Sequence, residues 1–202
     1  MSVTRRAVLV LPLVAGVRPA VAAEAGSAPA VIEGFYEQLL AVMKDAKRLG
    51  FNGRYARLTP AISQTFDLPL MTRIAVGPGW AQIPAGQQQR LAAAFSRYTI
   101  SMYANRFDDW GGERFEVVPN AAPNPNGVLV NTRLLKTNGE AVALNYLMRQ
   151  EGGAWKVIDV YLSGTVSELA ARRSEFGSVL QRNGAEGLVQ LIEQRTAALR
   201  AG

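Results

Sequence analysis

With neither histidine nor cysteine among its 202 residues, the chain must carry out any proton transfer with carboxylates, phenols or amines. Ser-His-Asp triads, thiol nucleophiles, His-ligated metals, structural zinc and disulfides all need one of the two missing types. Asp159 is the carboxylate best placed for chemistry. It interrupts an apolar run, Val157-Ile158-Asp159-Val160-Tyr161, and burial there raises a carboxyl pKa unless a partner offsets it. A carboxylate with a nearby Tyr can move a proton in the manner of a ketosteroid isomerase, which would make the protein a small isomerase or hydratase with Asp159 as base. Paired with Arg172 or Arg173, the same carboxylate would instead pin a helix against a strand. No second placed donor accompanies it, so the ion pair is the expected role.

Two further clusters carry less. Asp108-Asp109 with Glu113 lacks the alternating ligands, central Gly and terminal Glu of a calcium loop, and reads as a solvated helix end. Gly77-Pro78-Gly79 has no following Lys-Ser/Thr and no preceding strand, so it stops a helix rather than cradling a phosphate. The formal charge of +6 includes Arg5, Arg6 and Arg18, and the chain beyond residue 23 carries +3. No Lys/Arg stripe with interleaved aromatics appears there, which argues against a nucleic-acid partner.

Arg5-Arg6, the apolar run Ala7–Val17 and the small residues Ala20-Val21-Ala22-Ala23 have the order of a secretory leader with an A-x-A cleavage site. The run is shorter than the roughly 20 residues a bilayer span needs. The expected organisation is therefore a cleaved signal peptide over 1–23 and a single domain over 24–202, in a compartment outside the cytoplasm. A fold exported without cysteine does not rely on disulfides.

The elements that must position any site are legible from periodicity. Ile32, Phe35, Leu39, Val42 and Met43 lie at helical spacing in Val31–Leu49, which stops at Gly50. Thr59-Pro60 reads as an N-cap followed by proline at the first helical position, with a start nearer Arg54 as the alternative. Asp67 caps a short helix Leu68–Val76 that ends at Gly77-Pro78-Gly79. Pro84–Phe107, with Leu91, Phe95, Tyr98, Met102 and Tyr103 in phase, is the longest helix expected.

The period then changes from 3.6 to 2 in four runs, Arg114–Val118, Val128–Lys136, Ala141–Gln150 and Trp155–Gly164, the last three joined by Thr137-Asn138-Gly139 and Glu151-Gly152-Gly153. Val142, Leu144, Tyr146 and Met148 share one face, and Asn131, Arg133, Asn145 and Arg149 take the other. Two closing helices, Val166–Arg182 with Ser167 as cap and Ala185–Leu199, are separated by Asn183-Gly184.

The expected fold is α+β: a curved four-stranded antiparallel sheet packed against several helices, an NTF2-like cone with added helices, enclosing an apolar cleft. A cleft with few polar groups suits an apolar ligand. Its expected lining is Val142, Leu144, Tyr146, Met148 and Tyr161 from the sheet, opposed by Leu70, Met71, Ile74, Trp80, Phe95, Tyr98 and Met102 from the helical half.

Phe66-Asp67-Leu68-Pro69-Leu70-Met71-Thr72-Arg73-Ile74-Ala75-Val76-Gly77 with Trp80, Phe95-x-x-Tyr98-x-x-x-x-Tyr103, Trp155-Lys156-Val157-Ile158-Asp159-Val160 and Gly164-Thr165-Val166-Ser167 resemble the MlaC family of periplasmic lipid-binding proteins, also called toluene-tolerance proteins. The resemblance runs in order from about residue 31 to 199. Tyr161-Leu162-Ser163-Gly164-Thr165 and Arg172-Arg173-Ser174-Glu175-Phe176 look most like the hopanoid-associated branch, HpnM. Ser163 stands where many relatives of the phospholipid branch carry Glu.

The resemblance implies a soluble periplasmic carrier of phospholipid or hopanoid, neither enzyme nor cofactor-bearing. Its implied partners are an inner-membrane lipid transporter with an MCE-type or RND-type component, served as an ABC-transporter auxiliary protein, and an outer-membrane lipoprotein complex. Its implied role bears on outer-membrane lipid asymmetry. At roughly 0.8 kcal/mol per buried CH₂, sequestering one long acyl chain yields on the order of 10 kcal/mol gross.

Overall fold

The computed structural model describes residues 26–201; the expected leader and its cleavage site lie outside them. Helix α1 (Ala28–Lys44) is opened by Ser27, whose Oγ accepts from the Ala30 N–H at 3.3 Å, and buries a stripe of Ile32, Phe35, Tyr36, Leu39, Val42 and Met43. It ends before Gly50, at Asp45, whose φ of −108° and ψ of 8° leave the helical region, and the Asp45 carboxylate pairs with Arg48 and Arg57 of the next segment.

Helix α2 (Ala46–Thr65) is broken near its start by Gly50, whose φ is 59°. The expected helix start at Thr59-Pro60 is corrected: both lie inside α2, and the Thr59 hydroxyl donates to the Tyr55 carbonyl at 2.8 Å. Pro60 is tolerated because it and Ala56, whose carbonyl it leaves without a donor, face water. In α3 (Leu68–Val76) the Asp67 carboxylate accepts from the Leu70 N–H at 3.0 Å, and Gly77 closes the helix at positive φ. A 3-10 turn (Gly77–Gln82) leads into α4 (Ala85–Arg106).

The sheet has seven strands rather than four: β1 (Arg114–Val117), β2 (Ala122–Asn124), β3 (Gly127–Val130), β4 (Thr132–Leu135), β5 (Ala141–Glu151), β6 (Ala154–Leu162) and β7 (Val166–Ser167). The expected run Val128–Lys136 is cut at Asn131, and β2 and β7 are short edges with too few residues to show a period. At the cut, Thr132 N–H donates to the Asn145 side-chain oxygen at 3.1 Å instead of to a backbone carbonyl, so β3 and β4 meet β5 as two segments. On its other edge β5 pairs antiparallel with β6, with an extra residue, Ile158, bulging between the Leu147–Asp159 and Met148–Val157 pairs. Break and bulge are the two irregularities in the pairing of β5, and such features locally bend and twist a strand.

Gly152 and Gly153, both at positive φ, form the two-residue turn between β5 and β6. Helix α5 (Glu168–Ala201) starts on Ser167, whose Oγ accepts from the Ala170 N–H at 2.9 Å, and is interrupted at Gly184, where the sequence divides two helices. The helices cover one sheet face. Their shared core is aromatic, with Phe35, Phe66, Tyr103 and Tyr146 meeting edge to face at centroid distances of 5.3–6.5 Å.

Candidate functional site

Between the sheet and the helices lies a cavity of about 480 Å³, within the range of roughly 300–1,000 Å³ usual for small-molecule sites. Helix α4 supplies one wall through Phe95, Tyr98, Thr99, Met102, Tyr103 and Arg106, a single stripe at 3.6-residue period. The opposite wall is Leu134 of β4, Val142, Leu144 and Tyr146 of β5, and Val160 and Leu162 of β6. These residues fall on one face because the register sets Leu144 against Leu162 and Tyr146 against Val160. Met43, Phe66, Met71 and Leu169 close the buried end.

The open end is polar. Arg106, Asp108, Asp109, Glu113, Lys136, Ser163, Glu168 and Arg172 form its rim. Arg172 is the most constrained of them: its guanidinium lies 5.0 Å from the centre of the Tyr98 ring, donates to the Tyr98 hydroxyl at 3.0 Å and pairs with Glu168 at 2.9 Å. It thereby ties the first turns of α5 to α4 across the cavity edge.

Among the side chains expected from sequence, Met71, Phe95, Tyr98, Met102, Val142, Leu144 and Tyr146 line the cavity. Leu70, Ile74, Trp80, Met148 and Tyr161 do not. Leu70 and Ile74 lie off the inward stripe of α3 that carries Met71 and Ala75, and the Ile74 carbonyl accepts from Arg173 instead. Trp80 sits in the 3-10 turn, where its carbonyl accepts from the Gln88 side chain. Met148 shares the face of Tyr146, but it lies one step beyond the cavity's buried end, wholly enclosed in the core. Tyr161 pairs with Asn145 on the other sheet face.

Sequence reasoning missed Thr99 and Tyr103 although the same α4 stripe predicts them. Val160 and Leu162 were not legible without the strand register, nor was the rim, which α4, α5, β4 and the loop after α4 assemble from distant parts of the chain.

Asp159 is not a cavity residue, and the expected ion pair with Arg172 or Arg173 is absent. Its carboxylate lies on the outer face opposite Leu147 and accepts from Val160 N–H at 2.8 Å, Ser167 Oγ–H at 2.5 Å and Leu169 N–H at 3.3 Å. Burial pushes this carboxyl above its ordinary range, and the three donors offset only part of that rise. Turned away from the cavity, Asp159 anchors the start of α5 and is not positioned as a general base for a cavity-bound ligand.

The architecture and sequence match proteins of known character. A phospholipid-binding protein from Ralstonia solanacearum, solved in complex with a phospholipid, superposes with a TM-score of 0.75 at 28% identity, covering 86% of this chain and 98% of that one. The toluene tolerance protein ttg2D of Pseudomonas putida is 24% identical over 189 residues, spanning 91% of this chain and 86% of that protein. The family model described as MlaC protein matches residues 33–194, the span that builds both walls of the cavity, and the chain belongs to the MlaC protein family.

Proposed function

We propose that the protein is a periplasmic lipid carrier, binding phospholipid or hopanoid in the cavity between sheet and helices and moving it between the inner and outer membranes. The observation that carries this reading is the cavity itself: its walls are almost wholly hydrocarbon and aromatic, and its charged groups are confined to one rim. Such a compartment shields acyl or polycyclic carbon from water while a polar end stays solvated, which is the requirement for carrying a lipid through an aqueous space. The phospholipid held by the similar Ralstonia solanacearum protein supports the same reading. Among the described residues no helix is long and apolar enough to cross a membrane. The carrier meets an inner-membrane lipid transporter with an MCE-type or RND-type component and an outer-membrane lipoprotein complex at the two ends of its path.

Native mass spectrometry and lipid extraction of protein purified from the periplasm test the proposal. Co-purifying phospholipid or hopanoid near one molecule per chain is expected. Protein that is lipid-free, and that takes up neither class from vesicles, would overturn it.

A further inference from the structure

The cavity has room for one long hydrocarbon chain rather than two. At about 480 Å³ it falls in the lower half of the roughly 300–1,000 Å³ that encloses a drug-sized ligand. One long acyl chain, or one polycyclic body, is a ligand of that size. A diacyl lipid brings a second chain of similar length.

A second hollow of about 470 Å³, more open than the first, lies between α4 and the last turns of α5, lined by Tyr98, Asn105, Arg195, Ala198 and Leu199. Asn105 stands two turns beyond Tyr98 on the same side of α4, and Arg195, Ala198 and Leu199 are spaced i, i+3, i+4 on one face of α5. Among the described residues Tyr98 is the one that lines both hollows. The Arg172 guanidinium lies 5.0 Å from the centre of its ring and donates to its hydroxyl at 3.0 Å, so this pair forms the ridge between cavity and groove.

The charges beside the ridge are already met. Arg172 pairs with Glu168 at 2.9 Å on the cavity side, and Arg195 donates to Glu175 at 2.9 Å on the groove side. Hydrocarbon laid over the Tyr98 ring, Ala198 and Leu199 therefore faces no uncompensated cation in the groove.

We propose that the groove between α4 and α5 is the subsite for a second hydrocarbon chain, so that a two-chain lipid straddles the Tyr98–Arg172 ridge with one chain in the cavity and the other in the groove. A lipid with a single hydrocarbon body needs the cavity alone. This inference rests on the carrier reading and deepens it.

Photolabelling locates the chains. Delipidated protein is loaded from vesicles with phosphatidylcholine carrying a diazirine at the end of both chains, or with lysophosphatidylcholine carrying it on its single chain, and is then irradiated and mapped by peptide mass spectrometry. The two-chain lipid is expected to label the cavity walls and residues 196–200, and the one-chain lipid the cavity walls alone. Leu199→Glu should lower labelling of 196–200 by about tenfold, because a chain there must desolvate a carboxylate, and should leave labelling of the cavity walls by the one-chain lipid unchanged. Leu199 is only half-buried, and a thermal melt establishes that the variant folds; Ala198→Glu, on an exposed position, repeats the test if it does not. Two-chain lipid that labels the cavity walls and not 196–200, equal labelling of 196–200 by both lipids, or labelling of 196–200 that survives the glutamate would overturn the groove subsite while leaving the carrier reading intact. If neither lipid is taken up, the carrier reading falls and the subsite with it.

Discussion

Asp159 shows how a single side chain can look catalytic in sequence and be structural in the fold. Its three donors come from Val160, Ser167 and Leu169, so the carboxylate stitches β6 to the first turn of α5. Asp159→Asn keeps one acceptor oxygen and replaces the other with an amide that the Ser167 hydroxyl must turn to meet, at a cost of about 1–2 kcal/mol. The effect depends on pH with a definite sign. Because burial raises the folded-state pKa, the wild type binds this proton more tightly folded than unfolded. That contribution is fully present below the ordinary carboxylate value and fades as pH rises through the raised one. Asn does not titrate, so the stability gap between wild type and Asp159→Asn should widen as pH falls from 7 towards 4, measured by urea unfolding. A gap that narrows on acidification would show that the carboxylate is held mainly by its donors. At the cavity, Tyr146→Asp places a carboxylate among aromatic rings without a cationic partner, and an uncompensated buried charge costs several kcal/mol. Any folded fraction should carry no lipid by native mass spectrometry.

At the scale of elements, β5, which supplies Val142, Leu144 and Tyr146 to the cavity, is held differently on its two sides. The break at Asn131 lets β3 and β4 pair with β5 as separate segments, and the bulge at Ile158 shifts its register with β6. Gly127, which opens β3, has a φ of 147°, and a Cβ there would lie 2.1 Å from the Met148 carbonyl oxygen. Gly127→Ala must therefore push β3 off β5, and a cost of about 3 kcal/mol is expected from strain and lost pairing. Gly139, at φ 86° in the turn between β4 and β5, has open space around it. Gly139→Ala should cost only about 1–2 kcal/mol, the penalty of a left-handed alanine alone. Chemical denaturation of the two variants separates a packing constraint from a conformational one. Similar losses in both would mean that β3 is free to shift.

For the whole molecule, the carrier reading makes stability a function of cargo. A ligand that binds only the folded state at a hundredfold excess over its Kd adds about 2.7 kcal/mol, or roughly 5–10 °C in melting temperature for a domain of this size. Delipidated protein should melt lower by that amount and recover when lipid is returned; an unchanged melting temperature would mean that the cavity is empty in the purified protein. The sequence by itself determined the order of helices, then strands, then helices, and the alternating faces of β5. It also determined the caps at Asp67 and Ser167 and the α4 stripe of Phe95, Tyr98 and Met102. These are local properties: hydrophobic period, cap chemistry and glycine position act within a few residues, so one segment reports them. Only the tertiary structure decided that Val128–Lys136 is two strands, that Met148 falls beyond the cavity while Val160 and Leu162 enter it, and that Asp159 faces Ser167 rather than an arginine. Those outcomes depend on which strand lies opposite which and where a bulge falls. Strand register is fixed by packing between residues far apart in the chain, where a one-residue shift exchanges the two faces.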